Sequence, residues 1–203
     1  MGGPPVGPDD FVLSADEKTS VQARRRKQPT LALAAARPMR VEHEYFREGA
    51  WTYLAAWDVH RAKVFGRCES KNGIGPVDRV VSEVMNQAPY RTARRVFWIM
   101  DNCSAHRGQK AVDRFRSQWP NAILVHTPIH ASWLNQIEIY LSIVQRKVLT
   151  PNDFGSLAQL QERLLAFQAH YERSASPFRW TLTRKDPRAL LAKLDRKSLP
   201  LAA

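Results

Sequence analysis

Short apolar runs alternate with stretches of helical period along this chain, and that alternation limits the folds open to it more than any other feature. FVLSADE (11–17) reads as a short buried strand ending in acid. TYLAAWDV (52–59) and KVFGRCE (63–69) are two more strands around a tight turn at HRA (60–62), a predicted hairpin. RRVFWIMDN (94–102) and AILVHTP (122–128) are compact apolar runs of the kind that central strands carry. Within 75–88, Val77, Val80, Val81, Val84 and Ala88 recur at helical spacing, and Ala111, Val112, Phe115 and Trp119 share one face of 108–120. Two helices follow. One spans 134–149 with Leu134, Ile137, Leu141, Val144 and Val148 in one stripe; the other spans 156–173, where Ser156 and Gln159 fit a capping box.

Other segments lack a period. Residues 1–10 are rich in Gly and Pro and read as a disordered lead-in, and 22–42, with Pro29 and Pro38, reads as a long loop. A short last helix is expected to start at Asp186, with Pro187 in its first position. The order predicts an α/β chain, a mixed sheet flanked by helices on both faces, with one domain over 11–175 and a helical appendage over 176–203. A ribonuclease-H-like fold has that order, and so do several other α/β folds.

Composition removes some function classes. No run of eighteen apolar residues exists and the start lacks the order of a signal peptide, so a cytoplasmic protein is expected. Cys68 and Cys103 have no paired spacing, and Pro128 separates His126 from His130, so no zinc site is expected. Thirty-one Lys and Arg against nineteen Asp and Glu give a net charge of +12, which suits a nucleic-acid partner. Arg24, Arg25, Arg26 and Lys27 form the one tight basic run; the remaining positive charge is spread, as a broad phosphate-contacting face would require.

Against that basic background the acids stand out. Asp16, Asp58 and Asp101 each close an apolar strand, where sites form in open α/β sheets. Between 101 and 150 the only acids are Asp101, Asp113 and Glu138. Asp113, among Arg114 and Arg116, reads as a surface acid; Glu138 borders the apolar stripe of its helix and either points toward the sheet or snorkels to water. Converging carboxylates repel one another unless cations lie between them, and hard oxygen ligands select Mg²⁺ or Mn²⁺. Two such ions clamp the attacking and leaving oxygens of a phosphodiester. An acidic centre within a basic rim is therefore a coherent nuclease pattern.

VLSADEKTSVQAR (12–24), VFWIMDNCSAHRG (96–108) and LVHTPIHASWLNQIEIYLSIVQRKVLTPNDF (124–154) together resemble a bacterial insertion-sequence transposase of the mariner superfamily, over roughly residues 11–195. The resemblance implies a ribonuclease-H-like fold and a catalytic, metal-binding triad of two Asp and one Glu. The DE pair matches Asp16, the DN pair Asp101, and the Glu after SWLNQ Glu138, with 36 residues between the last two, close to the family's spacing. That assignment sets Asp58 aside and leaves Glu17 outside the ligand set. It also implies two Mg²⁺ or Mn²⁺ ions, each between Asp16 and one of the other acids, with water attacking in cleavage and a DNA 3′-hydroxyl in strand transfer. Asn102, His106 and Asn135 are candidate substrate contacts, and Trp133 with Asn135 is expected to fix how the helix meets the sheet.

Complete members of that family carry helix-turn-helix segments ahead of the catalytic domain and act as dimers on DNA. This chain opens almost at the first catalytic strand, so a separately encoded recognition segment is expected, or else a truncated, non-catalytic DNA-binding remnant. A simple ribonuclease-H-like nuclease shares the same metal core.

Overall fold

The computed structural model describes residues 6–103, 107–128 and 131–179. Five strands, β1 (Asp10–Arg26), β2 (Tyr45–Asp58), β3 (Val64–Glu69), β4 (Arg95–Met100) and β5 (Ala122–His126), form one sheet in the order β3-β2-β1-β4-β5. β2 pairs antiparallel with both β1 and β3, whereas β4 pairs parallel with β1 and β5 parallel with β4. Helices α1 (Ile74–Met85) and α2 (Gln109–Gln118) supply one side; α3 (Ile137–Lys147) and α4 (Leu157–Glu172) supply the other. The mixed sheet with helices on both faces is as the sequence predicts.

Each face has its own core. Leu13 and Ala15 of β1, Leu54 and Ala56 of β2, and Val96, Trp98 and Met100 of β4 meet Val77, Val80, Val81 and Val84 of α1. On the other face Tyr53, Ala55 and Trp57 of β2 meet Ile137, Tyr140 and Val144 of α3 and Leu160 and Leu164 of α4. Alternate residues of one strand thus feed opposite layers, as strand geometry requires. Phe178 stacks on Trp57 with ring centroids 4.6 Å apart, which ties the start of the expected appendage to the second layer. The helix expected from Asp186 lies outside the described residues. Among the described residues no helix is long and apolar enough to cross a membrane.

The largest departure from expectation is the length of the first two strands. The sequence predicts a strand ending at Glu17 and a loop over 22–42, yet β1 runs on to Arg26 and β2 begins at Tyr45, forming a long hairpin arm. The cause is a pair of register shifts, between Lys18 and Val21 and between Gln22 and Arg24, with Ser20 at φ 54°. Such bulges insert unpaired residues and break the period of two. Leu13 and Ala15 face the α1 layer, whereas Val21 and Ala23, of the same parity, face the α3 layer. The arm carries cation–aromatic stacks, Arg24 over Tyr45 at 4.6 Å and Arg25 over Phe46 at 4.7 Å. Its basic run is thus part of a sheet and not of a loop.

Smaller shifts occur at helix ends. α3 starts at Ile137, not Leu134: Ser132–Leu134 form a single 3-10 turn, and Asn135 is extended. In α4 the Ser156 side chain accepts the Gln159 N–H as a capping box requires, but Gln159 Oε1 reaches back to the Gly155 N–H at 2.6 Å.

Of the expected lead-in, 1–5 lie outside the described residues, and Asp10 already opens β1. Its side chain is fully buried between Arg94 and Arg95, whose Nη2 atoms each lie 2.6 Å from Oδ2, and it also accepts the Gly7 N–H at 2.7 Å. The Arg95 and Arg94 guanidinium groups hold this carboxyl well below its ordinary value of 3.8. A lowered pKa stabilises fully above the unfolded value and is lost as pH falls toward the folded one. Asp10→Asn is therefore expected to melt below the parent at pH 6, with the gap narrowing once pH falls below about 4. Paired melting curves from pH 3 to 6 check this; a gap constant with pH would rule out the ionised clasp.

Candidate active site

Asp16 lies within β1 and not at its end, because β2 pairs alongside as far as Arg26. The parallel register of β1 and β4 matches Asp10 with Arg95 and Ser14 with Ile99. The ladder ends at the second pair, two residues short of Asp16 on β1 and of Asp101 on the other chain segment, and the charge of Asp101 is felt at Asp16. Asp101 directly follows the last residue of β4, and its Oδ1 accepts the Cys103 N–H at 2.9 Å. The Asn102 amide donates to the Thr127 carbonyl at 2.7 Å, and the Thr127 N–H to the Met100 carbonyl at 2.9 Å. These bonds pin the segment after β4 to the end of β5.

Glu138 arrives from the opposite layer. It is exposed in the first turn of α3, where the helix dipole favours an anion. The start of α3 is fastened to β1 next to Asp16. The Ser14 hydroxyl donates to Asn135 Oδ1 and accepts the Ile137 N–H at 2.8 Å, while Asn135 Nδ2 donates to the Ala15 carbonyl at 2.8 Å. Asn135 is 1% exposed with both ends of its amide engaged, so it positions the helix and does not face substrate. The fastening is the one expected of Asn135, and it accounts for the late start of α3.

The acids feel one another. Burial pushes the Asp16 carboxyl up to about 7, opposed by the bond it accepts from the Glu17 N–H, and the charges of Asp101, Glu17 and Glu138 add to the rise. Asp16, Asp101 and Glu138 therefore share one electrostatic neighbourhood, drawn from β1, the end of β4 and α3.

Among the described residues no three His, Cys, Asp or Glu side chains form a ready cage for a metal ion. The donor chemistry still fits a hard divalent cation. Mg²⁺ is commonly held by one or two carboxylates, with water and phosphate oxygens completing its shell. A half-buried carboxylate flanked by others carries repulsion that a cation relieves.

The remaining candidates separate. Asp58 is fully buried: Oδ1 accepts the His60 and Arg61 N–H groups at 3.1 and 3.0 Å, and Oδ2 accepts the Tyr90 hydroxyl at 2.7 Å. It closes the β2–β3 turn. Glu17 turns to the Asn72 amide, and Asp113 is an exposed acid bonded to Gln109. Trp133 sits half-buried in the 3-10 turn, and His106 lies outside the described residues. Sequence reading missed Ser14 and Asn72. Ser14 left a signal, a lone hydroxyl inside an apolar run and two residues from Asp16; Asn72 left none.

A mixed sheet in this order, with one acid in β1, a second directly after β4 and a third on the helix after β5, is a ribonuclease-H-like core. The chain belongs to the DDE superfamily of endonucleases, whose family pattern matches residues 12–161. Its fold is similar to that of the Mos1 mariner paired end complex with Mn, at TM-score 0.58 and 15% identity, over 78% of this chain and 48% of that one. The pre-cleavage Mos1 transpososome gives 0.56 and 13%, over 82% and 49%; the Mos1 strand transfer complex gives 0.55 and 16%, over 78% and 47%. The chain spans about half the length of these structures. No curated protein matches it.

Proposed function

We propose that this chain is the catalytic domain of a DNA transposase, performing metal-dependent strand cleavage and strand transfer through Asp16, Asp101 and Glu138. The observation that supports this reading is the family match over residues 12–161, together with the Ser14–Asn135 fastening that brings the start of α3 alongside β1 next to Asp16. Mg²⁺ or Mn²⁺, two ions held by Asp16 with Asp101 and by Asp16 with Glu138, would supply Lewis-acid stabilisation to the attacking and leaving oxygens. The protein's own work is positioning. Ser14 and Asn135 hold α3 so that Glu138 stays across from Asp16, and Asn102 anchors the backbone beside Asp101. The net charge of +12 supports DNA as the substrate. Recognition of transposon ends is assigned to a helix-turn-helix segment, and the active form to a dimer on DNA, in the cytoplasm.

A joining assay tests the reading. With Mn²⁺, labelled pre-cleaved donor ends should become covalently joined to a target plasmid. Nicking without joining would reduce the function to that of a simple nuclease, and DNA binding without either would leave a non-catalytic remnant.

A further inference from the structure

Beyond Ser14 one edge of β1 loses its strand partner, because the β1–β4 ladder ends at the Ser14–Ile99 pair. The edge is covered again only from Gln22 onward, where Asn152 bonds to the Gln22 carbonyl and the Arg24 N–H, and the Phe154 N–H donates to the Arg24 carbonyl. Between these points α3 lies alongside and leaves an open cleft of about 520 Å³ that starts at Glu138. A second cleft of about 590 Å³ continues toward residues 39–43 and shares Lys18, Thr19 and Gln145 with the first. The two form one trough leading away from the three acids.

The cations along the trough differ in availability. Arg24 is stacked on Tyr45 and bonded to Gln22, and Arg26 is bonded to the Asn152 and Glu42 carbonyls. Among the described residues, Lys18 and Arg146 form no side-chain hydrogen bond or ion pair. Both line the first cleft, Lys18 from the strand and Arg146 from the exposed face of α3, with Ser142 and Gln145 also in its wall. Glu17, Glu138 and Glu42 also line the trough, but Glu17 is held by Asn72 and Glu42 by the His43 and Glu44 N–H groups.

We infer that Lys18 and Arg146 form a phosphate clamp for the DNA strand that leaves the active site, a subsite resting on the reading of the three acids as the reaction centre. Arg146 lies eight residues beyond Glu138, about 12 Å along the helix axis at 1.5 Å per residue. At about 3.4 Å per phosphate of a duplex strand, that distance places the clamped phosphates roughly three to four nucleotides from the scissile bond. The competing role for Arg146 is to offset the dipole at the C-terminal end of α3, together with Lys147.

Affinity for a short duplex, measured in Ca²⁺ across a salt series, separates the two roles. Each lost phosphate contact lowers the slope of log K against log salt by about 0.9, so Lys18→Ala with Arg146→Ala should lower it by about 1.8. A neutral methylphosphonate three or four nucleotides from the scissile position should weaken binding about tenfold in the parent and have no effect in the double variant. An unchanged slope, or equal methylphosphonate sensitivity in both proteins, overturns the clamp, and so does a parent that binds no DNA. Nicking by the parent in Mn²⁺ is scored separately. An unchanged slope with intact nicking removes the clamp alone; a lowered slope without nicking keeps the clamp and removes the catalytic reading.

Discussion

Asp16→Asn should abolish metal-dependent nicking, by at least about a thousandfold or ~4 kcal/mol of barrier, and yet raise the melting temperature of the metal-free protein. Both effects have one origin. In the parent the Asp16 carboxyl is pushed up to about 7 by burial and by the charges of Asp101, Glu17 and Glu138, so at neutral pH its ionised form opposes folding. An isosteric amide removes that repulsion, and a gain of about 1 kcal/mol is expected, roughly 2–4 °C for a domain of this size. The same change removes the acid common to both proposed ion sites. Mn²⁺ should then raise the melting temperature of the parent but not of the variant. Loss of nicking with a lowered melting temperature would point to a damaged fold and would sink the assignment of Asp16 as a carboxylate kept under repulsion for a cation.

The opposite outcome is expected at Asp58, the other aspartate that closes an apolar strand. Asp58→Ala leaves two turn N–H groups and the buried Tyr90 hydroxyl without their acceptor. The expected cost is about 3 kcal/mol, or roughly 6–12 °C of melting temperature. Tyr90 packs edge-on against Phe11 and Phe65 within the first core, so the loss should spread into that layer. Metal-dependent nicking, assayed well below the lowered melting point, should stay within a few-fold of the parent. A specific loss of metal response in Asp58→Ala, with stability unchanged, would mean that the carboxylate roles are reversed. Calorimetry with and without Mn²⁺ on the two variants decides both cases.

Local sequence could not separate these two aspartates. Both follow apolar runs, and only the partners distinguish them: turn amides and a tyrosine around Asp58, other acids around Asp16. In the sequence, only the resemblance to a family sets one above the other, as an expectation. The sheet and its helices were legible because Val77, Val80, Val81 and Val84 keep a helical period and VFWIM is long enough for one central strand. Two roles stay open for Asn135 in the sequence, because an amide three residues before Glu138 reads equally well as a substrate contact or a fastening. Its choice of Ser14 and Ala15 depends on a strand about 120 residues away. The hairpin arm was not legible for a different reason, since two bulges hide the alternation that marks a strand.

The bulge at Ser20 also sets how this protein can vary in length. Val21 and Ala23 reach the α3 layer only because the shift there exchanges the two sides of the strand. Deleting or inserting one residue between Lys18 and Val21 would turn both outward and point charged neighbours such as Arg24 into the core, as a one-residue slip does in any strand. Changes of two residues would leave every side chain on its proper side. The two strands of the arm, over 19–26 and 45–51, should therefore have lengthened or shortened in even steps during descent, while the loop that joins them was free to change by any number.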